Sequence, residues 1–499
     1  MASLWLRDLI QYRGLLLMIF VLGIGGSFQY GFHISVLNSP SLFIKEFIND
    51  TWIHHYSKPM GENSLRILWS FIVSSYCIGG MLGSLWSGYF TSKYGKSECF
   101  VCICFMPLLT ALLVGCSRTS KSFEMILIGR FLYGINAGFG FNIHSQYAGE
   151  IAHKKLRGFT NTSISIFVTI GKLMGQILGL SEILGTKSKW PLLLGLNGMW
   201  ALVQMVALPF FPESPYLLIE RNDKDGCMKA LKQLWGDRDH ERELEEMMKE
   251  QAARKSDQSL TVKGLLEDRS LRWQIYMLIA LTIALQLCGV NAIYFYAAVV
   301  FEEAKFDFSQ IPYLTIGIGV CESSSVILCS LLVDRFGRRV LLLGGYIAMV
   351  LSLSLLIATL SLQDTYMWLP YCSVMLIFLY VLSFGTGPGA TTMTIIVELF
   401  PQEARAAAFV IVGIINWIGL FVIGMVFPLV EATLGPFCFL IFITITAACA
   451  VFLYIYLPET KGKSALEIKE DINKDNLRKK NHLEIPKHLS NISVLSTKL

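Results

Sequence analysis

Twelve times between residues 14 and 457 the chain runs through about 20 mostly apolar residues, the length that crosses the hydrocarbon of a bilayer as a helix. In hydrocarbon no water is at hand to bond a backbone N–H or C=O, so each such segment must close its hydrogen bonds within itself. With 54% hydrophobic and 16% charged residues and a mean hydropathy of +0.53, the composition lies outside that of soluble domains. The expected fold is therefore an all-α membrane protein. Six spans fall in residues 1–211 and six in 273–457, each set a bundle, with a linker at 212–272 and a tail at 458–499.

The two sets repeat one another. Tyr147-Ala-Gly-Glu150 with Arg157 recurs as Ile396-Val-Glu398 with Arg405, an offset of 248 for both acid and base. Gly95 in Lys93-Tyr-Gly95-Lys96 answers Gly337 in Arg335-Phe-Gly337-Arg338-Arg339 at 242, and Pro212-Glu-Ser-Pro215 answers Pro458-Glu-Thr-Lys461 at 246. Each landmark borders an apolar run, so two copies of one membrane unit are fused end to end, the layout of a two-halved carrier.

Lys and Arg gather in the loops on the side of both termini, which the positive-inside rule places in the cytosol. The net charge of +5 is the sum of those loops and calls for no nucleic-acid partner. The sequon Asn49-Asp-Thr51 lies in the long first outer loop and fits an exofacial glycan. No cleavable signal precedes the first span, which is expected to act as an uncleaved anchor. The cysteines, including Cys99, Cys102 and Cys104, match no metal spacing and read as small buried apolar residues. Nothing resembles a catalytic centre, and no metal or cofactor is implied. Gly385-Thr-Gly387-Pro-Gly389 lies within an apolar span with no strand before it, so it loosens a helix instead of cradling a phosphate. In the linker, Met228–Trp235 and Glu241–Ala253 are amphipathic and predict short surface helices. The tail beyond residue 461 lacks sustained periodicity and is expected to be mobile. Gly79 and Gly83, Gly134 and Gly138, and Gly171, Gly175 and Gly179 each line one face of a span and predict close helix packing.

Taken together, the motifs resemble the facilitative sugar transporters of the major facilitator superfamily, closest to the branch carrying fructose and urate. The resemblance covers residues 14 to 465. It rests on Gly26-Ser-Phe-Gln29-Tyr30-Gly31, Gly129-Arg130-Phe131, Glu150 with Arg157, Pro212-Glu-Ser-Pro215, Gln286-Leu-Cys-Gly289-Val-Asn291, Asp334-Arg335-Phe-Gly337-Arg338-Arg339, Gly387-Pro-Gly389, Glu398 with Arg405, Asn416-Trp417 and Pro458-Glu-Thr-Lys-Gly. It implies an inner latch in which Glu150 and Glu398 meet guanidinium groups from Arg157, Arg405, Arg338 or Arg339.

A neutral hexose offers hydroxyls and weakly apolar ring faces, so its seat calls for uncharged amides and aromatic walls at the bilayer midplane. The seventh span supplies Gln286 and Asn291, with Tyr294 as an outer gate and Gly289 free to bend the helix. Gln29, Tyr30, Asn416 and Trp417 complete the set from facing spans. The chain departs from the glucose-carrying pattern at Leu285, Ser165, Met393 and Leu420, each standing where an amide or Trp is usual. Lys96 stands where the family has Arg, which predicts a weaker first latch and a larger inward-open population.

Charge has entered instead. Lys172 lies two turns beyond Ser165, and Glu322 occupies an eighth-span position where most relatives have Asn. A mid-membrane charge costs about 2.5–3.5 kcal/mol on insertion scales. Either the two face the cavity and influence one another across it, or Lys172 snorkels and Glu322 bonds a neighbouring helix. His33 stands where proton-coupled symporters carry Asp, with no Asp–Arg relay read beside it. Three functions fit, in this order: a facilitative hexose uniporter; a carrier of urate or another organic anion; a transport-poor sugar sensor. The implied partners are that small-molecule substrate and the lipid bilayer.

Overall fold

A computed structural model of the chain describes residues 11–153, 157–256, 261–307, 309–463 and 467–472. Every regular element among them is helical. The first half holds spans at Arg13–Ser35, Glu62–Tyr94, Lys96–Cys116, Glu124–Ile151, Arg157–Leu178 and Trp190–Ala207. In the second half the seventh span is broken into Arg272–Leu287, Val290–Phe295 and Ala297–Glu303. Ile311–Phe336, Arg338–Leu362, the broken Leu369–Thr386 and Pro388–Leu399, Gln402–Leu434 and Phe439–Tyr456 follow. Among the described residues, nine helical stretches are long and apolar enough to cross a membrane, one of which, Ala407–Tyr456, contains the eleventh and twelfth spans. The fourth carries Arg130, Asn136 and His144, and the fifth, whose apolar stretch Thr162–Leu178 is shorter, carries Lys172 and Gln176, all of them buried within the protein.

The small-residue faces hold the first bundle together. A Cβ on Gly79 or Gly138 would lie 2.0 Å from the carbonyl oxygen of Phe131 or Gly80, which only glycine permits between the second and fourth spans. A Cβ on Gly171 would meet the Phe28 carbonyl at 2.2 Å, seating the fifth span on the first. All three contacts join helices of one half. They build a bundle and do not form the surface on which two bundles slide.

Among the described residues of the linker are four helices, Pro215–Glu220, Lys224–Trp235, Glu241–Ser256 and Val262–Glu267. Asp223 caps the second by accepting from Gly226 N at 2.8 Å. Its apolar face buries Leu231, Leu234 and Trp235 with Leu15, Met18 and Ile151, and the Trp235 indole donates to the Ile151 carbonyl at 3.0 Å. The second linker helix is thus docked on the first bundle, while the fourth, Val262–Glu267, packs on Gln402–Leu434 of the second half. The expected mobile tail needs correction near its start: residues 467–472 are helical, and Ile468 and Ile472, four apart, are buried in the main core. Residues 473–499 lie outside the described part. Cysteine also differs in part from expectation, since Cys102 and Cys116 are exposed on the third span, while Cys227 is buried in a linker helix. The sequon Asn49-Asp-Thr51 lies within the helix Ser41–Tyr56, with Asn49 Oδ1 accepting from Met60 N at 3.1 Å.

Candidate functional site

Three interruptions of helical geometry aim the central side chains. In the first span, five residues, Ile24–Phe28, form a π turn immediately before Gln29 and Tyr30. Such an insertion rotates the residues beyond it relative to a continuous α-helix. In the seventh, Gly289 takes φ +104°, a conformation that favours glycine, and ends one helix before Val290 starts the next. In the tenth, the chain breaks at Gly387 and restarts with Pro388 at the first helical position. The expected bend at Gly289 and loosening at Gly385–Gly389 are both present.

Between these breaks runs a chain of uncharged polar groups. Asn291 Nδ2 donates to Gln286 Oε1 at 2.8 Å, Gln286 Nε2 to Asn416 Oδ1 at 2.5 Å, and Asn416 Nδ2 reaches the Tyr30 hydroxyl at 3.5 Å. It links the seventh and eleventh spans to the first, and so joins the two halves. Tyr30 packs edge-on against Trp417 at 5.3 Å and beside Phe141 at 5.1 Å, which gives the chain aromatic walls. The Trp417 indole donates to Ser84 Oγ at 2.7 Å, and its ring covers Gly80 so closely that a Cβ there would lie 2.2 Å away.

The two mid-membrane charges meet. Lys172 Nζ lies 2.8 and 3.2 Å from the carboxylate oxygens of Glu322, with both side chains buried. The Tyr294 ring covers the ammonium at 4.2 Å, and Asn38 at the end of the first span donates to the Tyr294 carbonyl. This differs from both arrangements open from the sequence: the charges pair directly between the fifth and eighth spans, neither across a cavity nor with Lys172 snorkelling.

Other expected residues fall elsewhere. Gln29 points into the first bundle, where its Oε1 accepts from Asn136 at 2.5 Å and Asn197 at 3.2 Å. Ser165 is half-buried on the fifth span. His33 stacks on Tyr133 at 4.4 Å, and Arg130 donates to its carbonyl at 2.9 Å while lying 3.4 Å from Nδ1. No Asp–Arg relay is read beside His33 in the sequence; the structure places the Arg of such a pair there, Arg130 of the fourth span, with no carboxylate among its described partners. Its position inside an apolar span was the available signal, the same one that picked out Lys172. Asn38, Asn136 and Gln176 also went unremarked, because a single amide in a helix has no periodicity to announce it.

The side of the linker carries two matching clusters of charged and hydroxyl groups. In the first half, Glu150 accepts from Lys96 at 2.6 Å and from the Ser214 hydroxyl, while Glu213 accepts from Ser97 N at 3.2 Å. In the second, Glu398 accepts from Arg338 at 3.1 Å and from the Thr460 hydroxyl at 2.5 Å, while Glu459 accepts from Arg338 N at 3.0 Å and Arg339 N at 3.1 Å. Lys96, Glu150, Glu213 and Ser214 thus answer Arg338, Glu398, Glu459 and Thr460, and both acids at helix starts meet free N–H groups there. Arg339 turns its guanidinium to the Tyr454 carbonyl at 2.6 Å, and Arg405 donates to the Phe400 carbonyl at 3.3 Å. The Arg157 side chain lies outside the described residues.

Burial lifts the Glu213 carboxyl above its ordinary range, against the pull of its N–H partners, Lys96 and Arg221. A group that binds its proton more tightly when folded adds stability below its unfolded pKa, and that stability is lost as the pH rises through the folded value. Glu213→Gln is therefore expected to flatten the fall in unfolding temperature just above the ordinary carboxyl value of about 4.3. Melting of purified protein in detergent on either side of that window measures it.

Two six-helix halves around a polar midplane define a secondary carrier of the major facilitator type. The sequence profile of the family described as "Sugar (and other) transporter" matches residues 18–472. Human "Solute carrier family 2, facilitated glucose transporter member 11" is 40% identical over 472 residues, 94% of this chain and 95% of that one. Mouse member 9 is 39% identical, covering 91% of this chain and 84% of its own, and mouse member 5 is 39% identical, covering 89% of each. Among solved structures, the partially occluded inward-open xylose transporter XylE from E. coli superposes with a TM-score of 0.74 at 19% identity, over 92% of this chain and all of that one. The proton:xylose symporter XylE bound to 6-bromo-6-deoxy-D-glucose gives 0.75 at 20%, over 93% and 99%; both are likenesses of fold. The chain belongs to the sugar transporter family, whose members are multi-pass membrane carriers and not enzymes.

Proposed function

We propose that the chain is a facilitative uniporter moving hexose, fructose or glucose or both, across the plasma membrane by alternating access, with both termini cytosolic. In this reading residues 1–211 and 273–457 are the rocking bundles, 212–272 the cytosolic linker and 458–499 the tail. The observation that carries it is the uncharged chain Asn291–Gln286–Asn416–Tyr30, which crosses from one half to the other between aromatic walls. Each amide in it can exchange its neighbour for a sugar hydroxyl without stranding a buried charge.

Lys172, Glu322, Tyr294 and Trp417 border this seat, with Ser165, Gln29 and His33 further out; Asn49 would carry the exofacial glycan. The latches of Glu150 and Glu398 hold the cytosolic ends of the bundles, with Arg157, Arg338, Arg339 and Arg405 as their basic residues. The organic-anion reading keeps the missing amides at Leu285, Ser165 and Leu420 as its ground but is weakened at Lys172, whose charge Glu322 neutralises. Uniport is favoured over symport because the described partners of His33 and Arg130 include no carboxylate to carry a proton.

Uptake of labelled fructose, glucose and urate into cells displaying the chain tests this directly. Saturable hexose uptake that persists when the proton gradient is collapsed is expected. Uptake confined to urate, or hexose uptake abolished with the gradient, would overturn it.

A further inference from the structure

On the side away from the linker the halves touch at a few points. Asn38 of the first half holds the Tyr294 carbonyl of the second, and the Tyr313 hydroxyl donates to Glu182 at 2.9 Å. Beside them the fifth and eighth spans are in direct contact: a Cβ on Gly319 would lie 2.1 Å from Gln176 Oε1 and 3.2 Å from Leu173 Cα. One turn from that contact on either helix are Lys172 and Glu322, 4% and 2% exposed. Tyr294 belongs to both features, with its carbonyl in the closure and its ring over the lysine. Parting these helices pulls an ammonium from a carboxylate inside the membrane, and the described partners of each include no second charged group.

We propose that Lys172 and Glu322 form the lock of the outer closure, which a neutral polyhydroxyl substrate releases by taking the place of each partner. One hydroxyl oxygen accepts from Lys172 while another hydroxyl donates to Glu322. A neutral sugar presents donors and acceptors together and satisfies both charges. A monoanion satisfies Lys172 alone and meets the carboxylate with like charge, so the same pair selects against anionic cargo. The substrate half of this inference rests on the hexose function proposed above; the lock itself does not.

Gln176→Cys places a thiol where the fifth span covers the eighth, and its modification by a membrane-impermeant thiol reagent added outside reads how often the closure parts. The chain without that cysteine is the control, and surface amount is measured alongside. In the Gln176→Cys background, Glu322→Lys and Lys172→Glu each set like charges face to face and are expected to raise the labelling rate at least tenfold. The exchanged pair K172E/E322K is expected to return it to the starting value. Single variants that label no faster, or an exchanged pair that labels as fast as they do, would overturn the lock. Should the like-charge variants not reach the surface, Glu322→Gln carries the test, with faster labelling expected by a smaller factor and an unchanged rate counting against it. Added fructose is expected to speed labelling of the native pair. Charge variants that behave as stated with no response to sugar would leave the lock standing and overturn its release by hexose.

Discussion

Glu322→Leu alone is expected to be among the most damaging single changes in the chain, lowering stability by about 3–5 kcal/mol, because it strands the Lys172 ammonium between the fifth and eighth spans. The companion change is the informative one. Lys172→Met together with Glu322→Leu removes both charges and leaves apolar groups of similar size, which in buried pairs is commonly neutral or stabilising. Surface yield and unfolding temperature in detergent should therefore fall sharply in the single variant and recover in the double. Equal loss in both would mean that the pair contributes shape or attraction that apolar packing does not replace.

Gln286→Leu is expected to reduce hexose uptake by about 10- to 100-fold, equivalent to about 1.4–2.8 kcal/mol, with surface amount unchanged. Gln286 is the middle of the amide chain, accepting from Asn291 and donating to Asn416. Its loss leaves a donor and an acceptor without partners in a site built to supply them. Initial-rate uptake at several sugar concentrations, normalised to protein at the surface, measures the effect. A rate within about twofold of the starting chain, when about 1.4 kcal/mol is tenfold, would remove Gln286 from the substrate seat.

The architecture was legible because membrane insertion writes it in long runs: twelve apolar stretches, a doubled set of charged landmarks and glycine faces at helical spacing. The cluster Arg338, Glu398, Glu459 and Thr460 answers Lys96, Glu150, Glu213 and Ser214 with a Lys-to-Arg and a Ser-to-Thr change, as the repeated landmarks implied. The seventh-span break was equally readable, since Gly289 between the amides Gln286 and Asn291, with Tyr294 beyond, marks a bent helix with a polar face. What escaped were matters of rotation and partner choice. The π turn at Ile24–Phe28 carries no compositional mark, and it decides that Tyr30 meets Asn416 while Gln29 faces Asn136. Arg130 was visible as a motif and overlooked as a charge. The partner of Glu150 is set by reach: Lys96 starts the third span directly beneath it, and a flexible ammonium meets the carboxylate from there. The helical start of the tail escaped because two isoleucines four apart are too short a signal to be read without the surface that buries them.

The meeting of Lys172 with Glu322 also bears on voltage. A membrane potential does work on charge that crosses it, about 2.3 kcal/mol per elementary charge for each 100 mV or so. The two mid-depth charges between the halves sum to zero, and a hexose carries none. A cycle that moves a neutral cargo past a cancelled pair gives the potential no net charge to act on at that pair, and Arg130 stays within the first half. For the hexose uniport proposed above, the direction of net flow is then set by sugar concentration alone, and the Lys172–Glu322 pair gives the electrical state of the cell no hold on the crossing.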